Sequence, residues 1–148
     1  MSPASARADA IDAGRFLAAQ EPVWPQVQAE LRAGRKRSHW MWWIFPQIAG
    51  LGRSDTARAY ALAGLDEAAA YLAHPVLGAR LVEAAELVLA SGERDAERLM
   101  GPVDALKLRS SMTLFAAVPG APPVFSKVLA ALYSREPDPL TLQRLPAP

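Results

Sequence analysis

Proline placement constrains this chain more than any other feature. Among its thirteen prolines, Pro22, Pro25, Pro46, Pro75, Pro102, Pro119, Pro122 and Pro123 fall at junctions between apolar-periodic stretches. A residue without an N–H, its φ held at about −65°, starts or stops a helix at such a place and does not break one. The stretches between are rich in alanine, leucine, arginine and glutamate, which favour helix. Asp12 reads as an N-cap for a helix to Gln20 that buries Phe16 and Leu17. Val23, Val27 and Leu31 recur at i, i+4 and i+8 in a second helix from about Pro22 to Ala33, and Gly34 stops it. Further helices are expected from Ser54 to Ala63, Asp66 to Ala73, Pro75 to Ala90, Pro102 to Val118, Pro122 to Tyr133 and Asp138 to Leu145, with a short capped turn from Asp95 to Gly101. Neither an internal repeat nor a strand pattern is visible. The expectation is an all-α fold: a compact single domain over residues 12–146 with about six to eight helices and an irregular tryptophan-rich segment, preceded by a flexible tail over residues 1–11. The run from Trp40 to Phe45 reads equally as an extended buried segment or as one helical turn.

The apolar fraction of 51% and charged fraction of 21% are those of a folded protein. The absence of cysteine excludes disulfides, thiolate nucleophiles and cysteine metal sites. The polar N-terminus lacks the apolar core of a secretory signal, and no run has the length of a membrane span, so a cytoplasmic protein with no membrane partner is expected. Net charge is only +1, but its distribution is uneven. Between Glu30 and Asp55 there is no acidic residue, while Arg32, Arg35, Lys36, Arg37 and Arg53 all fall there. That local excess points to an anionic partner at one patch.

The segment Gly34-Arg-Lys-Arg-Ser-His-Trp-Met-Trp-Trp-Ile-Phe-Pro-Gln47 joins three kinds of chemistry. Arg35, Lys36 and Arg37 suit phosphate or carboxylate through charge-assisted hydrogen bonds. Trp40 and Trp42 offer faces that stack on a base, and His39 is a candidate general acid or base. The competing reading makes Trp40, Trp43 and Phe45 core anchors beside a solvated basic turn. Gly50-Leu-Gly-Arg-Ser54 leads into a helix, so Arg53 and Ser54 are candidate anion contacts, although the spacing is not that of a P-loop. Asp104, Lys107 and Ser111 form a polar stripe at i, i+3 and i+7 on an otherwise apolar helix. They read either as a pocket lining or as an ion pair on a wet edge. His74-Pro75 reads as a helix junction. Two distant histidines without neighbouring carboxylates do not suit zinc, so no metal is expected, and no cofactor is expected either.

Several strings carry a family resemblance. They are Arg15-Phe16, Ala19-Gln20, the run from Glu30 to Trp43, Phe45-Pro-Gln47, Gly50-Leu-Gly-Arg-Ser54, Tyr71-Leu72, His74-Pro-Val-Leu-Gly78, Arg80-Leu81, and Asp104 with Lys107-Leu-Arg-Ser-Ser-Met-Thr-Leu-Phe115. Across residues 15–133 the chain resembles a bacterial family catalogued as domain of unknown function 1810. The resemblance implies a mainly helical, prokaryotic-type cytoplasmic protein and brings no catalytic set with it.

The expected function is a pocket that binds or hydrolyses a phosphate-bearing small molecule, a nucleotide or an ADP-ribose-like group. Arg35, Lys36, Arg37, Arg53, Ser54 and Ser111 would hold the ligand, Trp40 or Trp42 would stack on it, and His39, Asp104 or Lys107 would move protons. The hydrolytic version rests on analogy with other small helical domains that process ADP-ribose. The alternative is a module without catalysis that uses the same patch to bind nucleic acid or a protein.

Overall fold

The helix boundaries in the computed structural model, which describes residues 11–146, follow the proline and capping signals closely. Ten helices run α1 Ala13–Gln20, α2 Trp24–Arg32, α3 Met41–Ile44, α4 Asp55–Tyr60, α5 Leu65–Ala73, α6 Leu77–Ala90, α7 Ala96–Met100, α8 Pro102–Ala116, α9 Val124–Leu132 and α10 Pro139–Gln143. The fold is all-α, and the excess over the expected number comes from pieces of four to six residues. Side chains of Asp12, Ser54, Asp95 and Asp138 each accept a backbone N–H at the start of a helix, as their types predict. Gly34 stops α2 with φ +74°, a conformation that costs other residues a Cβ clash. The tail expected over residues 1–11 lies, except for Ile11, outside the described residues.

Two helices form the centre. Helix α6 packs on α1, α2, α3, α5 and α9, and α8 packs on α5, α7, α9 and α10. Leu81, Ala84, Ala85 and Val88 of α6 are buried, and on α8 every residue from Ser110 to Phe115 is buried. The N-terminal half of α8 is different: Val103 and Leu106 are each 65% exposed. Ala105 and Leu108 between them are buried, so this half has one covered and one open side. Asp104 and Lys107 lie in the half that reaches the surface.

The Trp40–Phe45 run is one helical turn, α3, entered from an irregular segment bent at Ser38 and His39. Gln20 holds it against the centre. Its side-chain amide donates to the Trp43 carbonyl at 2.7 Å and to the Tyr71 hydroxyl at 2.9 Å, and Arg80 donates to the Gln20 carbonyl oxygen at 3.2 Å. Burial pushes the Tyr71 hydroxyl well above its ordinary pKa, so it stays a neutral partner in this network. Helix α4 ends at Tyr60, short of the expected Ala63. Leu62 leaves the helix to form a parallel bridge with Ile48, its N–H donating to Gln47 and its carbonyl accepting from Ala49.

Candidate functional site

Glu30 organises the basic segment. In the last turn of α2 it lies one residue from Leu31 and three from Val27, on the buried face, and is itself only 6% exposed. Its Oε1 accepts from the backbone N–H of Arg37 at 2.6 Å and of Ser38 at 3.0 Å, and from the Trp40 indole N–H at 3.0 Å. Its Oε2 accepts from the Ser38 hydroxyl. Burial alone would raise this carboxyl. The hydrogen bonds from the Ser38 hydroxyl, the Arg37 and Ser38 backbone and the Trp40 indole outweigh it and hold the pKa at about 2, against an ordinary 4.5.

These bonds hold residues 35–40 in an irregular course, bent at Ser38 and His39, along which burial alternates from residue to residue. Lys36, Ser38 and Trp40 face the protein, whereas Arg35, Arg37 and His39 are exposed. Lys36 meets α8. Its Nζ lies 2.8 Å from Asp104 Oδ2 and 4.9 Å from the centre of the Trp40 ring. Lys107 Nζ lies 3.4 Å from Asp104 Oδ1 and 4.4 Å from the centre of the Trp42 ring. The side chains of Lys36, Asp104 and Lys107 are only 7%, 19% and 23% exposed, so these ions are largely shielded from water. One carboxylate thus serves two ammonium groups, and the cluster has a formal charge of +1. Asp104 and Lys107 are consequently more than an i,i+3 pair on a wet edge, because Lys36 reaches them from 68 residues away in the chain.

Of the other expected site residues, Trp40 is corrected outright. It is fully buried with its N–H taken by Glu30, so it anchors the core and has no free face for a base. Trp42 keeps part of its surface and also borders a small cavity with Gln47, Gly52 and Tyr60. Arg53 and Ser54 are exposed on the separate loop before α4. The Ser54 hydroxyl is occupied in accepting the Ala57 N–H, and Asp55 already puts a negative charge in the first turn of that six-residue helix. The Ser54 O–H stays free to donate, but Asp55 removes the positive end that the expected anion contact would have used. Ser111 is fully buried on α8. His74 is the junction its sequence suggests, its Nδ1 accepting the N–H groups of Val76 and Leu77 at 3.1 and 3.2 Å.

A concavity of about 550 Å³ beside the segment takes in Arg35 and Lys36, but with Glu93, Glu97 and Arg98 on its wall. It does not include Arg37, His39 or Asp104, so it is not the pocket expected to join those three. Among the described residues no group of three or more histidine, aspartate or glutamate side chains is placed to hold a metal. No helix there is long and apolar enough to cross a membrane. Glu30 escaped the sequence reading as a site residue. The signal for it was present, since an acid at this register lies on the apolar stripe of α2 and needs a partner.

No curated protein matches the chain. Among solved structures it is similar to the crystal structure of the conserved hypothetical protein Rv1873 from Mycobacterium tuberculosis, with 48% identity, a TM-score of 0.89, and 93% of this chain and 98% of that one covered. A family model described as protein of unknown function (DUF1810) matches residues 10–145. With nearly its whole length matched, the chain belongs to the DUF1810 family.

Proposed function

We propose that this protein binds a phosphate-bearing small molecule, a nucleotide or ADP-ribose-like group, at the cluster of Lys36, Asp104, Lys107 and Trp42. The observation that carries the reading is the imbalance of two ammonium groups on one carboxylate in a largely desolvated place. An anion completes such a cluster, and fixed charges attract more strongly away from bulk water. Trp42, beside Lys107, provides an aromatic face for a base. Arg35 and Arg37, exposed on the outer side of the same segment, add long-range attraction for phosphate. The geometry favours binding over hydrolysis. Each oxygen of Asp104 already faces a lysine, and His39 points away from the cluster on the exposed side of the segment.

Arg35, Arg37 and His39 also favour a second reading, a surface for nucleic acid or an acidic protein, because no carboxylate pairs with them among the described residues. Thermal stabilisation against nucleotides, ADP-ribose, NAD and short oligonucleotides at low and moderate salt separates the two. Stabilisation by one nucleotide-like compound that is lost in Lys107→Met supports the small-molecule site. Stabilisation by oligonucleotides that collapses with salt and with Arg37→Ala, but survives Lys107→Met, supports the surface. Silence across the panel, with the variants folded, defeats both ligand classes.

A further inference from the structure

We infer that the concavity between α5, α6 and the α8–α9 connection is a second site, built for a small organic cation: an ammonium or guanidinium group on an apolar body. It shares no residue with the cluster of Lys36, Asp104, Lys107 and Trp42, and neither reading depends on the other.

The concavity has a volume of about 610 Å³, within the roughly 300–1,000 Å³ of small-molecule sites. Leu72 and Ala73 of α5, Ala79 and Val82 of α6, and Val118 and Pro122 of the connection give it apolar walls. Ala73 and Ala79 are exposed, and a longer side chain at either would fill the hollow. Its shape is set before any ligand arrives. Gly78 brings α6 against the Leu72 carbonyl of α5, where a Cβ does not fit. Across from it, the Val118 N–H donates to the Phe115 carbonyl at 3.2 Å and the Ala121 N–H to the Val118 carbonyl at 3.0 Å. Pro119, Pro122 and Pro123 fix three φ angles of the same connection. A ligand entering preformed apolar walls gains from the water it displaces and orders little of the protein.

Charge decides which ligand enters. No lysine, arginine or histidine lines the concavity, and its two charged residues, Glu83 and Glu86, are both acidic. They lie three residues apart on α6, so roughly 5–6 Å separates their Cβ atoms and one cation reaches both. Glu83 accepts from the neutral Gln28 amide, and neither carboxylate takes part in an ion pair among the described residues. Arg80, the one basic residue of α6, is engaged by Glu21 and Gln20. Two negative charges beside apolar walls, without a cation of the protein's own, attract an ammonium group and repel a carboxylate or phosphate. Along α6 the apolar Gly78, Ala79 and Val82 come first and the two acids follow, so the hollow has one anionic end. A compact molecule with one cationic end matches it.

The test is an amide NMR titration with three compounds that share an indole and a two-carbon chain: tryptamine, tryptophol and indole-3-propionate. Wild type is expected to bind tryptamine with a Kd on the order of 1 mM, as about a dozen non-hydrogen atoms permit. The shifts should centre on residues 69–86 and 118–122. Tryptophol should bind at least about tenfold more weakly, and indole-3-propionate not at all. The double variant Glu83→Gln/Glu86→Gln should bind tryptamine only as weakly as wild type binds tryptophol. Ala79→Leu should abolish binding without lowering Tm, because the site is exposed; Ala73→Leu serves the same purpose should the first variant not fold. Equal affinity for tryptamine and tryptophol, or full affinity in the double glutamine variant, overturns the inference. So do shifts centred elsewhere, the absence of any shift, or shifts at these residues from an amphipathic leucine–lysine peptide but not from tryptamine, since the occupant is then a protein segment.

Discussion

Replacing Glu30 with glutamine should cost about 2 kcal/mol at pH 7 and leave the basic segment in place. The amide keeps an oxygen at the Oε1 position to accept from Arg37, Ser38 and Trp40, while its NH₂ replaces Oε2 and donates to the Ser38 hydroxyl. Three bonds to a charged acceptor become bonds to a neutral one, a loss of roughly 0.5–1 kcal/mol each. Relief from burying a charge returns part of that. The acid–base route gives a similar figure: a carboxyl held at about 2 against an ordinary 4.5 contributes on the order of 3 kcal/mol. Because the folded-state pKa is depressed, this stability is fully present above about pH 4.5 and is lost as pH falls towards about 2. Urea unfolding at several pH values, followed by far-ultraviolet circular dichroism, reads the effect without depending on the indole of Trp40. The gap between wild type and Glu30→Gln should be widest near neutrality and close between about pH 4.5 and 2. Glu30→Ala, which strands four donors, should cost at least about 3 kcal/mol. A glutamine variant as stable as wild type at pH 7, or a gap constant across the acid range, would refute the account of Glu30 as the charge that pins this segment.

Further outcomes follow from single contacts. Gly78 sits where α6 meets the end of α5, and a Cβ there would overlap the Leu72 carbonyl oxygen. Gly78→Ala should therefore cost about 3 kcal/mol despite alanine's better helix propensity, seen as a fall in Tm of roughly 6–10 °C; an unchanged Tm would contradict the close approach. Asp104→Asn leaves Lys36 and Lys107 facing each other without their carboxylate, a loss of about 1–3 kcal/mol that should shrink as salt screens the repulsion. Denaturation at two ionic strengths checks it, and a loss independent of salt would place the cause elsewhere. His74→Ala removes the acceptor for two N–H groups at the start of α6, with an expected cost of about 1 kcal/mol by urea denaturation; no loss would mean that water serves those groups equally well.

The helices and most of their ends were legible in the residues alone, because the forces at work there act over three or four residues. Asp12, Ser54, Asp95 and Asp138 cap helices whose free N–H groups lie within three residues of them, and Gly34 ends α2 through its own backbone freedom. The polar stripe of α8 was legible for the same reason, being set by the turn of one helix. Helix α4 was overextended where a contact from outside it, the Ile48–Leu62 bridge, took over.

Which faces of those elements meet was set by long-range packing. It put the Trp40 indole on Glu30, so that a candidate stacking ring became a core anchor. It turned Lys36 inward to Asp104 and left Arg35, Arg37 and His39 outside, a split in a run of similar residues that composition does not reveal. It also left Ser111 without a partner among the described residues while giving partners to Ser110 and Thr113 on the same helix. The reason is common to all three: burial, ion pairing and hydrogen-bond satisfaction depend on distance in space, and residues 36 and 104 become neighbours only when Lys36 has bonded to the Leu99 carbonyl of α7 and α7 has packed on α8.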